Sequence, residues 1–155
     1  LEMAVNKKMP VIVHLPHTRK PDGAKRILKI LENQNVDETM VLIDHNTEET
    51  MPIVRKTGFF TGMTVYPISK LTPERVSSII REYGSERMIV DGSADWGISD
   101  PLSLPRVVEY MSGNGHSEKE IRNIVFENAM AFYGHSPKWN PRLDLAPVDP
   151  QKFQR

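Results

Sequence analysis

The sequence predicts an α/β domain built on a parallel sheet, and three observations carry that prediction. Four short apolar, β-branched runs alternate with segments of helical periodicity, which implies right-handed βαβ units. Glycine and proline punctuate the boundaries between them. Polar residues with ligand chemistry, His14, His45 and Asp91 or Asp95, stand where the apolar runs stop. The chain has 155 residues, enough for one domain with a real core, and its 39% hydrophobic and 26% charged content is ordinary for a globular protein.

The first eight residues, Leu1-Glu-Met-Ala-Val-Asn-Lys-Lys8, have no initiator Met and read as the last turns of a helix, with Lys7 and Lys8 suiting its C-terminal dipole. The expectation is that the chain begins in mid-domain. Met9-Pro-Val-Ile-Val-His-Leu-Pro-His-Thr18 is a buried-type strand that delivers His14 to a loop, with His14 on the same face as Ile12. A helix follows over about 22–34, with Ala24, Ile27, Leu28, Ile30 and Leu31 at helical spacing. Thr39-Met-Val-Leu-Ile-Asp-His-Asn46 repeats the strand pattern and ends in His45. A short helix runs to Lys56, with Pro52 in its first turn.

Gly58 to Pro67 is a third strand, rich in aromatic and β-branched residues, and no metal-type ligand ends it. Thr72-Pro73-Glu74 opens a helix through Val76, Ile79, Ile80 and Tyr83 that stops at Gly84. Arg87-Met-Ile-Val90 is the fourth strand and runs into the acidic, glycine-bearing loop Asp91-Gly-Ser-Ala-Asp-Trp-Gly97. Asp100-Pro101 caps another helix, and Ser117-Glu-Lys-Glu120 is a capping-box pattern that starts one continuous helix to Gly134. Residues 1–135 therefore form the domain, and 136–155, marked by Pro137, Pro141, Pro147 and Pro150, an extended C-terminal tail.

An open doubly wound sheet usually binds its ligand with a Gly-rich phosphate loop, and neither GxGxxG nor GxxxxGK occurs. In a (β/α)₈ TIM barrel every strand's C-terminal end feeds one site, which is where the polar residues lie. Four strands are half of eight, so the fold expected is half of such a barrel. Two neutral imidazoles and a carboxylate suit Zn²⁺, Mn²⁺ or Fe²⁺, and a site left open to water turns that water into a nucleophile. His14, His45 and one of Asp91 and Asp95 are the expected ligands, and the same two aspartates are the candidates for the catalytic carboxylate. His17, Arg19, Lys70 and Trp96 are candidate substrate contacts, the two basic residues for an anionic group. Asp44 should point away from His45 towards an outer helix, and Glu48 and Glu49 should favour a helix N-terminus. His116 and His135 receive no role.

With 20 basic and 20 acidic residues, no global field advertises nucleic acid or an anionic membrane. No apolar run approaches membrane-spanning length, and the N-terminal residues lack the order of a secretory leader. The absence of cysteine removes disulfides and thiolate metal sites and suits a cytoplasmic protein.

From Leu1 to Gly134 these segments resemble, in order and spacing, the second half of a TatD-related metal-dependent hydrolase of the amidohydrolase superfamily. Pro10-Val-Ile-Val-His14 is similar to that family's fifth strand and Val41-Leu-Ile-Asp-His45 to its sixth, each ending in a metal-ligating His. Phe59 to Tyr66 resembles the seventh strand and Arg87-Met-Ile-Val-Asp91 the eighth, after which a metal-proximal Asp follows. Asn123-Ile-Val-Phe-Glu-Asn-Ala-Met-Ala-Phe-Tyr-Gly134 is similar to the closing helix. The resemblance implies strands 5 to 8 of the barrel and one or two divalent ions, zinc first, magnesium or manganese as alternatives. It also implies metal-activated water attacking a phosphoester, ester or amide bond.

Asp91-Gly-Ser-Ala-Asp95 stands where TatD nucleases read Glu-Thr-Asp-x-Pro, and His45-Asn-Thr-Glu-Glu replaces His-Cys-Phe-Ser-Gly. Ungapped, Ser93 falls where that Asp belongs, so the resemblance implies either Asp95, reaching the metal through a longer loop, or Asp91 in its place, with Asp95 slightly preferred because Gly92 lets the backbone bend towards the centre. Both departures point to a divergent branch and away from deoxyribonuclease activity in particular, although a phosphodiester, small or nucleic acid, is the family-level substrate. The family's His-x-His and the Glu of an earlier strand are absent from the sequence. The partner expected is therefore the N-terminal half of a barrel of about 250 residues, in this chain or another, with homo-oligomerisation as a further way to cover the exposed edges. The alternatives are a non-catalytic half-barrel and an α/β phosphate- or ligand-binding module whose strand-end histidines donate hydrogen bonds.

Overall fold

Alternating apolar strands and amphipathic helices assemble as the patterning requires. The structure, a computed structural model, describes residues 2–93 and 98–140. Helix α1 (Glu2–Asn6) leads into β1 (Val11–His14), α2 (Lys20–Asn33), a 3₁₀ turn (Glu38–Met40) and β2 (Val41–Asp44). Helix α3 (Met51–Val54), β3 (Phe60–Val65), α4 (Pro73–Tyr83), β4 (Met88–Gly92) and α5 (Ser103–Gly113) follow. The chain closes with α6 (Glu118–Arg122), a π-helical turn (Asn123–Glu127) and α7 (Asn128–Gly134).

The four strands pair in sequence order, β1-β2-β3-β4, and every pairing is parallel. Register fixes the faces. Ile12 pairs with Leu42 and His14 with Asp44; Gly62 pairs with Ile89 and Thr64 with Asp91. Side chains alternate along a strand, so these residues share one face, and Val13, Ile43, Met63 and Val90 share the other. The second face is covered by helices in two clusters: Leu31, Val41, Ile43, Val54 and Phe59 near α2 and α3, and Met63, Val76, Ile79, Ile80, Met88, Val90, Val107 and Met111 near α4 and α5.

The first face is covered at one end only. Leu42, Phe60 and Ile89 pack against Phe132 of α7, whose ring meets that of Phe60 at 5.3 Å between centroids. Beyond them lie Ile12, 42% exposed in the middle of a parallel strand, and the polar strand ends. Parallel sheets are normally buried on both faces.

Two helices differ from their predicted form. Asp100 does not cap the helix as expected: its Oδ1 accepts from the Leu102 amide within a turn over Pro101 and Leu102, and α5 begins at Ser103 with Leu102 at its N-cap and no side-chain cap. The capping box at Ser117 and Glu120 forms, yet the continuous helix predicted to follow is interrupted by the π-helical turn. Asn128 fixes that interruption, its Nδ2 donating to the carbonyls of Ser85 and Met88 at 2.7 Å each. Residues 136–140 turn back, stacking Trp139 on Tyr133, and residues 141–155 lie outside the described residues. No helix among the described residues is long and apolar enough to cross a membrane.

Candidate metal centre

The strand ends converge through register and one unusual residue. His14 and Asp44 are paired neighbours on β1 and β2, so their side chains leave the sheet on the same side. His45 is next in sequence and would point the other way in a continued strand, but its φ of 64° turns the chain into the left-handed region. That turn brings its ring back beside His14, 4.3 Å away between centroids. A left-handed non-glycine residue is strained, and such strain collects at functional sites.

Asp44 stands between the two imidazoles. Its Oδ2 is 3.6 Å from His14 Nε2 and 3.2 Å from His45 Nδ1, and one ligand atom from each of the three residues lies within 4.8 Å of the others. Donors at about 2.1 Å around a tetrahedral ion are about 3.4 Å apart, so this donor set fits a divalent metal in kind and in span. Asp44 is 5% exposed, and only a glycine permits that position: a Cβ on Gly62 would lie 2.3 Å from Asp44 Oδ1.

Thr64 and Asp91, paired across β3 and β4, extend the cluster. The Thr64 hydroxyl is 2.7 Å from His45 Nδ1 and donates to Asp44 Oδ1 at 3.3 Å. Asp91 hydrogen-bonds with Thr64 and Asp44, and burial, together with the Asp44 charge, pushes its carboxyl up to about 7. Burial also lowers His45 below the ordinary imidazole range, against the opposing pull of Asp44, which favours the neutral form that a metal requires.

The predicted residues therefore divide. His14, His45 and Asp91 meet at the strand ends. Lys70 reaches them, its Nζ 3.5 Å from both His45 nitrogens, and His17 lines the same cavity. Arg19 does not join them as a free cation: it is exposed and paired with its own neighbour Asp22 at 2.8 Å. Asp95 and Trp96 lie outside the described residues. Glu48 is held by Arg75 in a two-pronged pair at 2.6 and 2.8 Å, a long-range contact in place of the expected helix-end role.

The expectation for Asp44 is corrected: it faces the site, because His45 and not Asp44 departs from strand geometry. The register with His14 could have revealed this, had strand pairing been readable from sequence. Lys20 was also missed, and its Nζ donates to the His45 carbonyl at 2.6 Å. Burial and then the nearby Lys70 charge lower its pKa. His116, given no role, is a packing residue, its Nε2 2.8 Å from Ser77 Oγ.

No family model matches the chain. An uncharacterized metal-dependent hydrolase of Methanocaldococcus jannaschii is 35% identical over 135 residues, 86% of this chain and 52% of that protein. The crystal structure of a TatD-like protein from Archaeoglobus fulgidus superposes with a TM-score of 0.66 at 25% identity, over 86% of this chain and 50% of that one. The chain thus spans about half the length of the relatives it matches.

Proposed function

We propose that this TatD-related chain supplies strands 5 to 8 of a metal-dependent hydrolase barrel, and that His14, Asp44 and His45 hold a divalent ion there. The observation that carries the reading is the meeting of these three donors within 4.8 Å at the C-terminal ends of parallel strands. A bound divalent ion supplies Lewis acidity, lowering the pKa of a water and polarising the bond to be cut, a phosphoester, ester or amide. Zinc suits two imidazoles and a carboxylate best, with manganese or magnesium as alternatives.

The chain's own groups do the rest. Gly62 leaves room for the Asp44 carboxylate, and Thr64 orients it together with the His45 ring. Asp91, hydrogen-bonded to Thr64 and Asp44, is the group we assign to accept the proton of the attacking water, with Asp95 as the other candidate. The open face around Ile12 and His14 supports a complementary barrel half as the partner of this sheet, the part of the relatives' length that the match leaves out.

The test is metal content together with hydrolysis. Purified protein titrated with Co²⁺ should develop the absorption of a nitrogen- and oxygen-ligated ion, and His14→Ala and His45→Ala should each abolish it along with hydrolysis of a generic phosphodiester or ester. A protein that takes up no divalent ion, or whose activity ignores both substitutions, overturns the hydrolase reading and leaves a binding module.

A further inference from the structure

We propose that Lys20 and Lys70 form an anion subsite beside the candidate metal centre, shaped for the phosphate of a small substrate and not for a nucleic acid. The proposal rests on the hydrolase reading above and names the class of substrate. The segments that follow β1, β2, β3 and β4 line a cavity of about 380 Å³ with His17, Lys20, His45, Tyr66, Lys70 and Ser93 on its walls. Cavities of this size take small molecules.

Both ammonium groups converge on His45. Lys20 Nζ donates to its carbonyl at 2.6 Å, whereas Lys70 Nζ lies 3.5 Å from its ring nitrogens and 3.4 Å from Ser93 Oγ. Neither makes an ion pair with a carboxylate among the described residues. The arginines around them are neutralised, Arg19 by Asp22 and Arg75 by Glu48. Two like charges facing one cavity repel each other unless an anion lies between them. An ammonium carries three donors, so each lysine keeps capacity for a ligand oxygen after its protein contacts are made.

The pattern also sets the size of the ligand. A nucleic-acid surface tracks several phosphates with a stripe of unpaired basic residues, and binding strengthens with each phosphate neutralised. Here the positive charge is confined to two lysines at one cavity, in a chain with 20 basic and 20 acidic residues. A phosphate monoester, carrying up to two negative charges, matches two ammonium groups; a carboxylate matches one. His45 belongs to both the subsite and the metal cluster, so a phosphate held by the lysines lies next to the groups proposed for hydrolysis.

The experiment is calorimetric titration of the protein with inorganic phosphate, on the wild type and on Lys20→Gln, Lys70→Gln and Arg19→Gln. Phosphate should bind saturably, one per chain. Losing a charge-assisted contact should weaken it roughly ten- to a hundredfold in either lysine variant, with no change in Arg19→Gln. Non-saturable binding, or phosphate affinity in both lysine variants equal to that of the wild type, overturns the proposal. So does acetate binding as tightly as phosphate, or a short DNA duplex binding more tightly at physiological salt and losing that binding in the lysine variants. Lys70→Gln keeps the test decisive if Lys20→Gln fails to fold, since among the described residues the Lys70 ammonium meets only side chains, the His45 ring and the Ser93 hydroxyl. Co²⁺ absorption on the same samples separates the two readings: phosphate binding without cobalt uptake sinks the metal centre alone, and the reverse sinks the anion subsite alone.

Discussion

Substituting Gly62 by Ala inserts one methyl group into the space that the Asp44 carboxylate occupies. The new Cβ would lie 2.3 Å from Asp44 Oδ1 and 3.0 Å from its Cγ and Cα. Oδ1 must retreat by roughly 1 Å to reach ordinary contact, which takes it from the Thr64 hydroxyl at 3.3 Å, and the carboxylate that moves with it carries Oδ2 from its places 3.2 and 3.6 Å from the imidazoles. Overpacking of this kind costs roughly 1–3 kcal/mol. The loss of glycine's freedom in the unfolded chain offsets about 0.4–1 kcal/mol of it. The net expectation is a destabilisation of about 1–2 kcal/mol and a fall in Co²⁺ or Zn²⁺ affinity of roughly ten- to a hundredfold, the usual effect of disturbing a ligand's support. Urea unfolding and metal titration measure the two effects. Asp44→Ala removes the clashing oxygen, so in that background Gly62→Ala should have a much smaller effect on stability, a coupling of at least about 0.5 kcal/mol. Strict additivity of the two substitutions, or an unchanged metal affinity in Gly62→Ala, refutes the claim that Gly62 exists to seat Asp44.

Thr61, fully buried on the helix-covered face, has a hydroxyl with no hydrogen-bond partner among the described residues, so Thr61→Val should stabilise the protein by about 1 kcal/mol in urea unfolding. Ser117→Ala should destabilise it by about 1 kcal/mol through loss of the cap at α6. Hydrogen bonds from the Ser117 amide and hydroxyl hold the Glu120 carboxyl below its ordinary 4.5, so its small contribution is present above that value and is lost as pH falls through the lowered one. The acid limb of a stability–pH curve should therefore flatten slightly in Ser117→Ala.

What the sequence disclosed was what short-range chemistry dictates. Thr72-Pro73 starts α4, Gly84 at φ 75° ends it, and the capping box starts α6, because each device acts within a few residues. His14 and His45 were legible because apolar runs stop at them. Asp44 was not, because it keeps strand geometry beside His14, and only the left-handed turn at His45 carries that ring round to the Asp44 side, a turn that the sequence around it does not announce. Lys20 was hidden for a related reason: the left-handed Arg19 before it and the packing of Pro16 against Gly23 set where α2 begins, and both are tertiary facts.

The π-helical turn between α6 and α7 has a consequence for how the chain can vary in length. Successive residues of an α-helix are rotated by about 100°, and a π turn accommodates one residue more per turn without breaking the rod. Ile121 and Ile124 can therefore face the helix-covered side of the sheet while Phe132, on the same continuous rod, reaches the opposite face. Removing a single residue from 123–127 would restore an ordinary helix and swing Phe132 by about that angle, away from Leu42, Phe60 and Ile89. The spacing between Ile124 and Phe132 is thus fixed to the residue, a constraint on insertions and deletions that an exposed helix of the same composition would not carry.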